Sequence, residues 1–302
     1  MSQTADWVGV KFHVGYQGVS NMTTRTNKAL VLTALALASG VAMAGISATK
    51  HNLTASGPGP NQLTSDPGNT QEICVFCHTP HGANTDASAP LWNKNIPDPT
   101  GYQMYSSTTM DAATIQVGSV SAACLSCHDG TQAMDNMINT PGSGTNPSAD
   151  PATAIYVWDT TNGGTANGIM PATSIANLGQ DLTNDHPIGI QYCGGGLTGA
   201  GDVVNGTCAD GDFNAASTRV INGTQVFWVN TSAGASTDRE KNDIILYTRD
   251  FTGATPAGPA VGASVECASC HDPHVEAKAA TEVSFLRVSQ ANSGVCLACH
   301  NK

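Results

Sequence analysis

Four times the chain reads Cys-x-x-Cys-His, and this spacing constrains its folding more than any other feature. The motifs are Cys74-Val-Phe-Cys77-His78, Cys124-Leu-Ser-Cys127-His128, Cys267-Ala-Ser-Cys270-His271 and Cys296-Leu-Ala-Cys299-His300. The pattern is that of c-type haem attachment. Two thiols a fixed short distance apart add to the two vinyl groups of a porphyrin, and the imidazole that follows reaches the iron. A zinc ribbon also uses Cys-x-x-Cys, but it has no need of His directly after each second Cys. A redox-active Cys-x-x-Cys is expected once, near a βαβ unit. The sequence therefore predicts four covalently bound haem c groups. Cys74, Cys77, Cys124, Cys127, Cys267, Cys270, Cys296 and Cys299 are the attaching thiols, and His78, His128, His271 and His300 the proximal iron ligands.

The remaining histidines bear on conduction against catalysis. His13 lies in the upstream segment; His51, His81, His186 and His274 are left. Four irons need four sixth ligands, so supply matches demand. An iron with His on both faces has no position for substrate, and the sequence nominates no catalytic residue. His78-Thr-Pro-His81 and His271-Asp-Pro-His274 repeat one pattern. Residues three apart on a helical turn point the same way, so the second His is expected on a different haem, or on none. Met104, Met110, Met134, Met137 and Met170 have no repeated context near a motif. They read as packing residues, since Met fills irregular gaps.

Cys193 and Cys208 remain. In an oxidising compartment two spare thiols pair; the alternative is two free thiols. A bridge would close a loop of about 16 residues and contribute roughly 3 kcal/mol.

That compartment is suggested by the N-terminal segment. Ala29–Ser39 is mostly apolar, follows Arg25 and Lys28, and precedes Ala42-Met43-Ala44. This is the three-part layout of a secretory signal peptide, with Met22 a better start than Met1 and cleavage after Ala44. The run is too short for a bilayer, which takes ~20 residues, so no transmembrane segment is expected. The predicted location is secreted, extracellular or at the cell surface, with the periplasm as alternative. The net charge of −11 argues against nucleic acid as a partner, because a binder there needs a basic patch.

Four segments follow: 1–44 as leader, 45–140 as a first haem doublet, 141–261 as a haem-free loop and β insert holding the disulfide, and 262–302 as a second doublet. Each doublet opens with Cys-x-x-Cys-His-x-Pro-His and closes with a plain motif. In the insert, Ala154–Trp158 and Gln225–Val229 are β-prone, and Ser236–Tyr247 suggests one or two helical turns. Only 12% of residues are charged and 5% aromatic, against about 25% charged in an average domain. The expected fold is a multihaem cytochrome c: mostly irregular loop, short helices at the haem motifs, a few short β-hairpins, and the haems as the core.

Several stretches are familiar: CVFCHTPHG (Cys74–Gly82), APLWN (Ala89–Asn93), DHPIG (Asp185–Gly189), CASCHDPH (Cys267–His274), SFLR (Ser284–Arg287) and NSGVCLACH (Asn292–His300). Together they resemble the doubled Cys-x-x-Cys-His cytochromes, in particular the OmcE-type tetrahaem cytochromes of metal-reducing bacteria, which polymerise into extracellular filaments. The resemblance implies a homopolymeric filament, all-bis-His ligation, little regular secondary structure, and one axial His donated by the neighbouring subunit. By position that His would be His51. Redox proteins or extracellular acceptors such as metal oxides would be its partners. The rival readings are a monomeric periplasmic tetrahaem carrier and, less favoured by the His count, a multihaem reductase.

Overall fold

Asn222-Gly223 sits at the tip of a tight hairpin, with φ of 50° and 78°. Two successive positive φ values make a type I′ turn, whose twist matches that of the flanking strands. Those strands are β4 (Ser217–Ile221) and β5 (Thr224–Val229), in register from Ile221 opposite Thr224 to Ser217 opposite Trp228. The sheet continues through β6 (Ile244–Arg249), β7 (Gly262–Val265) and the short β1 (Ile190–Gln191). All neighbours are antiparallel, in the order β1-β7-β6-β5-β4. β2 (Thr198–Ala200) and β3 (Val203–Asn205) form a separate hairpin.

This computed structural model describes residues 45–141, 150–185, 187–200, 203–205, 207–231, 238–254, 257–275 and 284–301. They fall within one unit, Ala44–Lys302. The leader lies outside the described residues, as does His186.

Alternation along β5 and β6 gives the sheet a buried face. Phe227, Val229, Ile244, Leu246 and Ala263 pack there with Tyr192, Cys193 and Leu197. A second cluster holds Leu63, Val75, Phe76, Met134, Met137, Trp158 and Met170. A third holds Tyr102, Val117, Ala122, Leu125, Leu182 and Ile188.

These elements correct the expected fold class. The chain is not mostly loop wrapped on a haem core. It builds a five-stranded antiparallel sheet with few short helices, and apolar side chains form the cores. Among the described residues, no group of three or more His, Cys, Asp or Glu could hold a metal ion. The physical reason for the difference is non-local pairing. The C-terminal segment supplies β7, which inserts between β1 and β6, and no local periodicity announces such a partner. Two local expectations change with it. The apolar end (Ile244–Tyr247) of Ser236–Tyr247, a segment expected to hold one or two helical turns, lies instead in strand β6, both edges of which are paired. Ala154–Trp158 is not a strand. Its backbone donors go to side chains instead, Ile155 and Tyr156 to Asp135 Oδ2 (3.0 and 2.8 Å) and Val157 to Asn69 Oδ1 (2.9 Å). The Gln225–Val229 run does form strand, as β5.

Cys193 and Cys208 are joined, with Cα atoms 5.3 Å apart. The bridge ties the buried Cys193 to the segment leading into β4. Replacing both by Ala is expected to cost about 3 kcal/mol by loop entropy. Urea unfolding of the double variant checks this; an unchanged midpoint would contradict it. Among the described residues, no helix is long and apolar enough to cross a membrane.

Candidate haem-attachment sites

Each Cys-x-x-Cys-His motif sits on a short helical turn, which brings residues three apart to one side. The first turn is a 3₁₀ helix, Ile73–Phe76, in which the Cys74 carbonyl accepts from the N–H groups of Cys77 (3.2 Å) and His78 (2.8 Å). The second ends helix α1 (Ser119–His128), and the third is α2 (Cys267–Cys270). The fourth is carried by α3 (Gly294–Cys299).

The two residues between the cysteines act as anchors in three of the motifs. Val75 and Phe76, Leu125 and Ser126, and Ala268 and Ser269 are all buried. Each anchor pair leaves its cysteines partly or fully exposed. The fourth motif differs: helix α3 buries nothing, and Leu297 is 47% exposed. Asn214 holds it instead. Its Nδ2 donates to the carbonyls of Leu297 (2.9 Å) and Ala298 (3.1 Å), and its N–H to that of Cys299 (2.7 Å).

The motif thiols follow one another through the molecule. Burial pushes Cys77 up to about 12, with Cys127 and Cys74 adding to the shift. Cys124 is raised by a hydrogen bond with the Cys267 thiol and by burial. Burial raises Cys270, with Cys267 and Cys296 contributing. Burial also takes Cys299 to about 12, with Cys270 and Cys296 behind it. Neighbouring thiols thus link motif one to two, two to three, and three to four. None of the eight is in a disulfide.

Three imidazoles are oriented by backbone carbonyls. Nδ1 of His78 lies 2.7 Å from Pro90 O, that of His128 2.7 Å from Ala176 O, and that of His51 2.9 Å from Pro273 O. A carbonyl only accepts, so Nδ1 carries the proton, and in the neutral ring Nε2 is the metal-binding nitrogen. Burial holds His128 below the usual imidazole pKa, which favours that neutral form.

Two proximal candidates each face a second imidazole. The rings of His78 and His274 are 6.1 Å apart between centres and inclined by 19°. Those of His128 and His51 are also 6.1 Å apart, at 74°. His51 is stacked on Phe285, 4.1 Å away. His81 is exposed, and its carbonyl accepts from Thr79 Oγ1 (3.1 Å) and Asn139 Nδ2 (2.8 Å). His271 is exposed on an isolated bridge to Leu286. His300 is exposed, with its ring 4.2 Å from Phe213.

No protein-family model matches the chain, and no curated protein matches it.

The site is therefore read from its own geometry. Sequence reasoning nominated His51 and His274 without partners, and the structure brings them to His128 and His78. His51, which the resemblance implies is donated to a neighbouring subunit, has its ring 6.1 Å from that of His128. Pro90, Ala176 and Pro273, which orient the rings through their carbonyls, were not nominated. A carbonyl leaves no trace in residue identity, so no sequence signal would have found them.

Proposed function

We propose that this protein is an exported electron-transfer protein that carries four covalently attached haem c groups and has no catalytic site of its own. The observation that carries the reading is the pair of facing imidazoles, His78 with His274 and His128 with His51, each 6.1 Å apart. Ring centres about 6 Å apart would leave room for one metal ion between two imidazole nitrogens, at about 2 Å per metal–nitrogen bond. His78 with His274, and His128 with His51, would each hold the iron of one haem, a pair of protein ligands and not a cluster of three. The donor set fits: in each pair one member directly follows a Cys-x-x-Cys and the other comes from a distant segment.

When bound, haem supplies reversible one-electron chemistry at an iron whose potential the axial ligands and burial set over about 0.8 V. The chain's residues do the rest. The buried anchors fix three of the four thiol pairs and Asn214 holds the fourth motif, the carbonyls of Pro90, Ala176 and Pro273 hold three imidazoles in the ligating tautomer, and the ordered thiols set one motif beside the next. The series begins at the exposed Cys74 and closes on the exposed α3 motif of Cys296 and His300. Two open ends suit electron entry and exit, and so favour a conduit that continues from subunit to subunit in a filament over a closed storage protein. Imaging surface-sheared material by electron microscopy separates a filament from the monomeric carrier.

The test of the cofactor is stoichiometry and spin state. The exported protein is expected to retain four haems per chain after acid–organic extraction, with a low-spin spectrum. A chain that retains zinc and no haem would overturn the reading. A large high-spin fraction in the oxidised protein would turn it towards a reductase.

A further inference from the structure

Glu266 is buried, precedes Cys267 directly, and joins segments far apart in sequence. Its Oε2 accepts from Ser121 Oγ (2.6 Å), and its Oε1 from Arg249 Nη1 (2.7 Å) and Ser264 Oγ (2.8 Å). Ser121 in turn accepts from the Cys267 N–H (3.0 Å). Arg249 Nη2 also donates to Gln116 O (3.0 Å), just before α1. At Gly118 a Cβ would come within 2.6 Å of that same nitrogen, so glycine gives the guanidinium room. The Glu266 N–H donates to Ser269 Oγ (2.9 Å), closing a capping box over α2. A buried carboxylate is costly unless its lone pairs are satisfied, and here hydroxyls and a guanidinium meet both oxygens. Such a fully connected network holds its members in one arrangement.

The elements joined are the helix that carries Cys124 and Cys127 and the turn that carries Cys267 and Cys270. These are the close of the first doublet and the opening of the second. We propose that Ser121, Glu266 and Arg249 form a positioning hub that sets the spacing and orientation of the second and third haems, making two doublets one continuous chain. The inference rests on the proposed function, since it concerns the distance between two attached groups. Ser121, Glu266 and Arg249 belong to neither the attaching thiols nor the imidazoles. They act through the Cys267 backbone and the first turn of α1.

The test uses full-length exported protein and the circular-dichroism couplet in the Soret band, which reports excitonic coupling between adjacent haems. Ser121→Ala removes the hydroxyl shared by α1 and α2. It is expected to keep four haems per chain while the couplet falls by about half or more. Ser121→Thr keeps the hydroxyl and is expected to restore the couplet. A purely structural role would lower the melting temperature of S121A and leave the couplet of the folded protein unchanged; that result overturns the proposal. If S121A does not load four haems, Arg249→Lys is read instead. Its compact ammonium lacks the planar fork through which Arg249 reaches Glu266 and Gln116 by separate nitrogens, so the couplet is again expected to fall, and an unchanged couplet again overturns the hub. A wild-type chain without covalent haem would fail the cofactor reading itself, which haem stoichiometry shows separately.

Discussion

Replacing His274 by glycine is expected to convert one haem in four from low to high spin, and added imidazole should restore the low-spin form. His274 lies opposite His78 at the separation of two axial ligands and is more than half exposed. Its removal therefore opens a coordination position that solvent can reach without disturbing a core. Nothing on Cys74, Cys77 or the Pro90 carbonyl changes, so the haem should remain attached. His51→Gly is expected to act likewise on the haem of Cys124 and Cys127, with a larger loss of stability because His51 also stacks on Phe285. Methionine at position 274 would instead raise the potential of that haem, since a thioether ligand favours the reduced iron. The measurement is the oxidised spectrum and electron paramagnetic resonance of each variant. Four unchanged low-spin signals in His274→Gly would show that His274 is not a ligand. The same variants bear on assembly. If His51 serves its own chain, dilute monomer keeps a low-spin haem at Cys124 and Cys127.

Phe76→Ala is expected to cost about 3–5 kcal/mol, the usual range for deleting a buried aromatic ring. Phe76 is 1% exposed and packs with Leu63, Met134, Met137 and Trp158. It also lies between Cys74 and Cys77, so the cavity would loosen the turn that fixes the two thiols. Lower stability and incomplete haem attachment at that motif are expected together. Leu297→Ala makes the comparison. It lies between Cys296 and Cys299 but is 47% exposed, so its effect should stay within about 0.5 kcal/mol, as for surface positions in general. Urea midpoints of the two variants, measured side by side, check the contrast. Equal midpoints would show that the buried anchor does not hold the first motif.

The Phe76 and Leu297 pair illustrates how far the residues could be read in advance. Both are large apolar residues inside Cys-x-x-Cys, and sequence treats them alike. Burial separates them, because the cluster around Phe76 is assembled from residues as distant as Trp158 and Met170. The same holds for Glu266. An acid before a Cys-x-x-Cys looks like solvated surface until β6 brings Arg249 and α1 brings Ser121 to it. In the insert, Gln225–Val229 was legible as β-prone and forms most of β5, but the Asn222-Gly223 turn that pairs it with β4 was not singled out. Nor were the partners of β6 and β7 legible.

By itself the sequence determined what local chemistry determines: four Cys-x-x-Cys pairs, an imidazole after each, and two spare cysteines near enough to pair. Tertiary structure alone decided which histidine faces which, that five strands close into one antiparallel sheet, and that a buried carboxylate joins the two doublets. The division has one physical cause. Each Cys-x-x-Cys-His motif spans five residues, where spacing in sequence is spacing in space. The facing imidazoles, the strands β1 and β7, and the Ser121–Glu266 contact join residues about 75 to 196 positions apart, and only the folded backbone sets their distance.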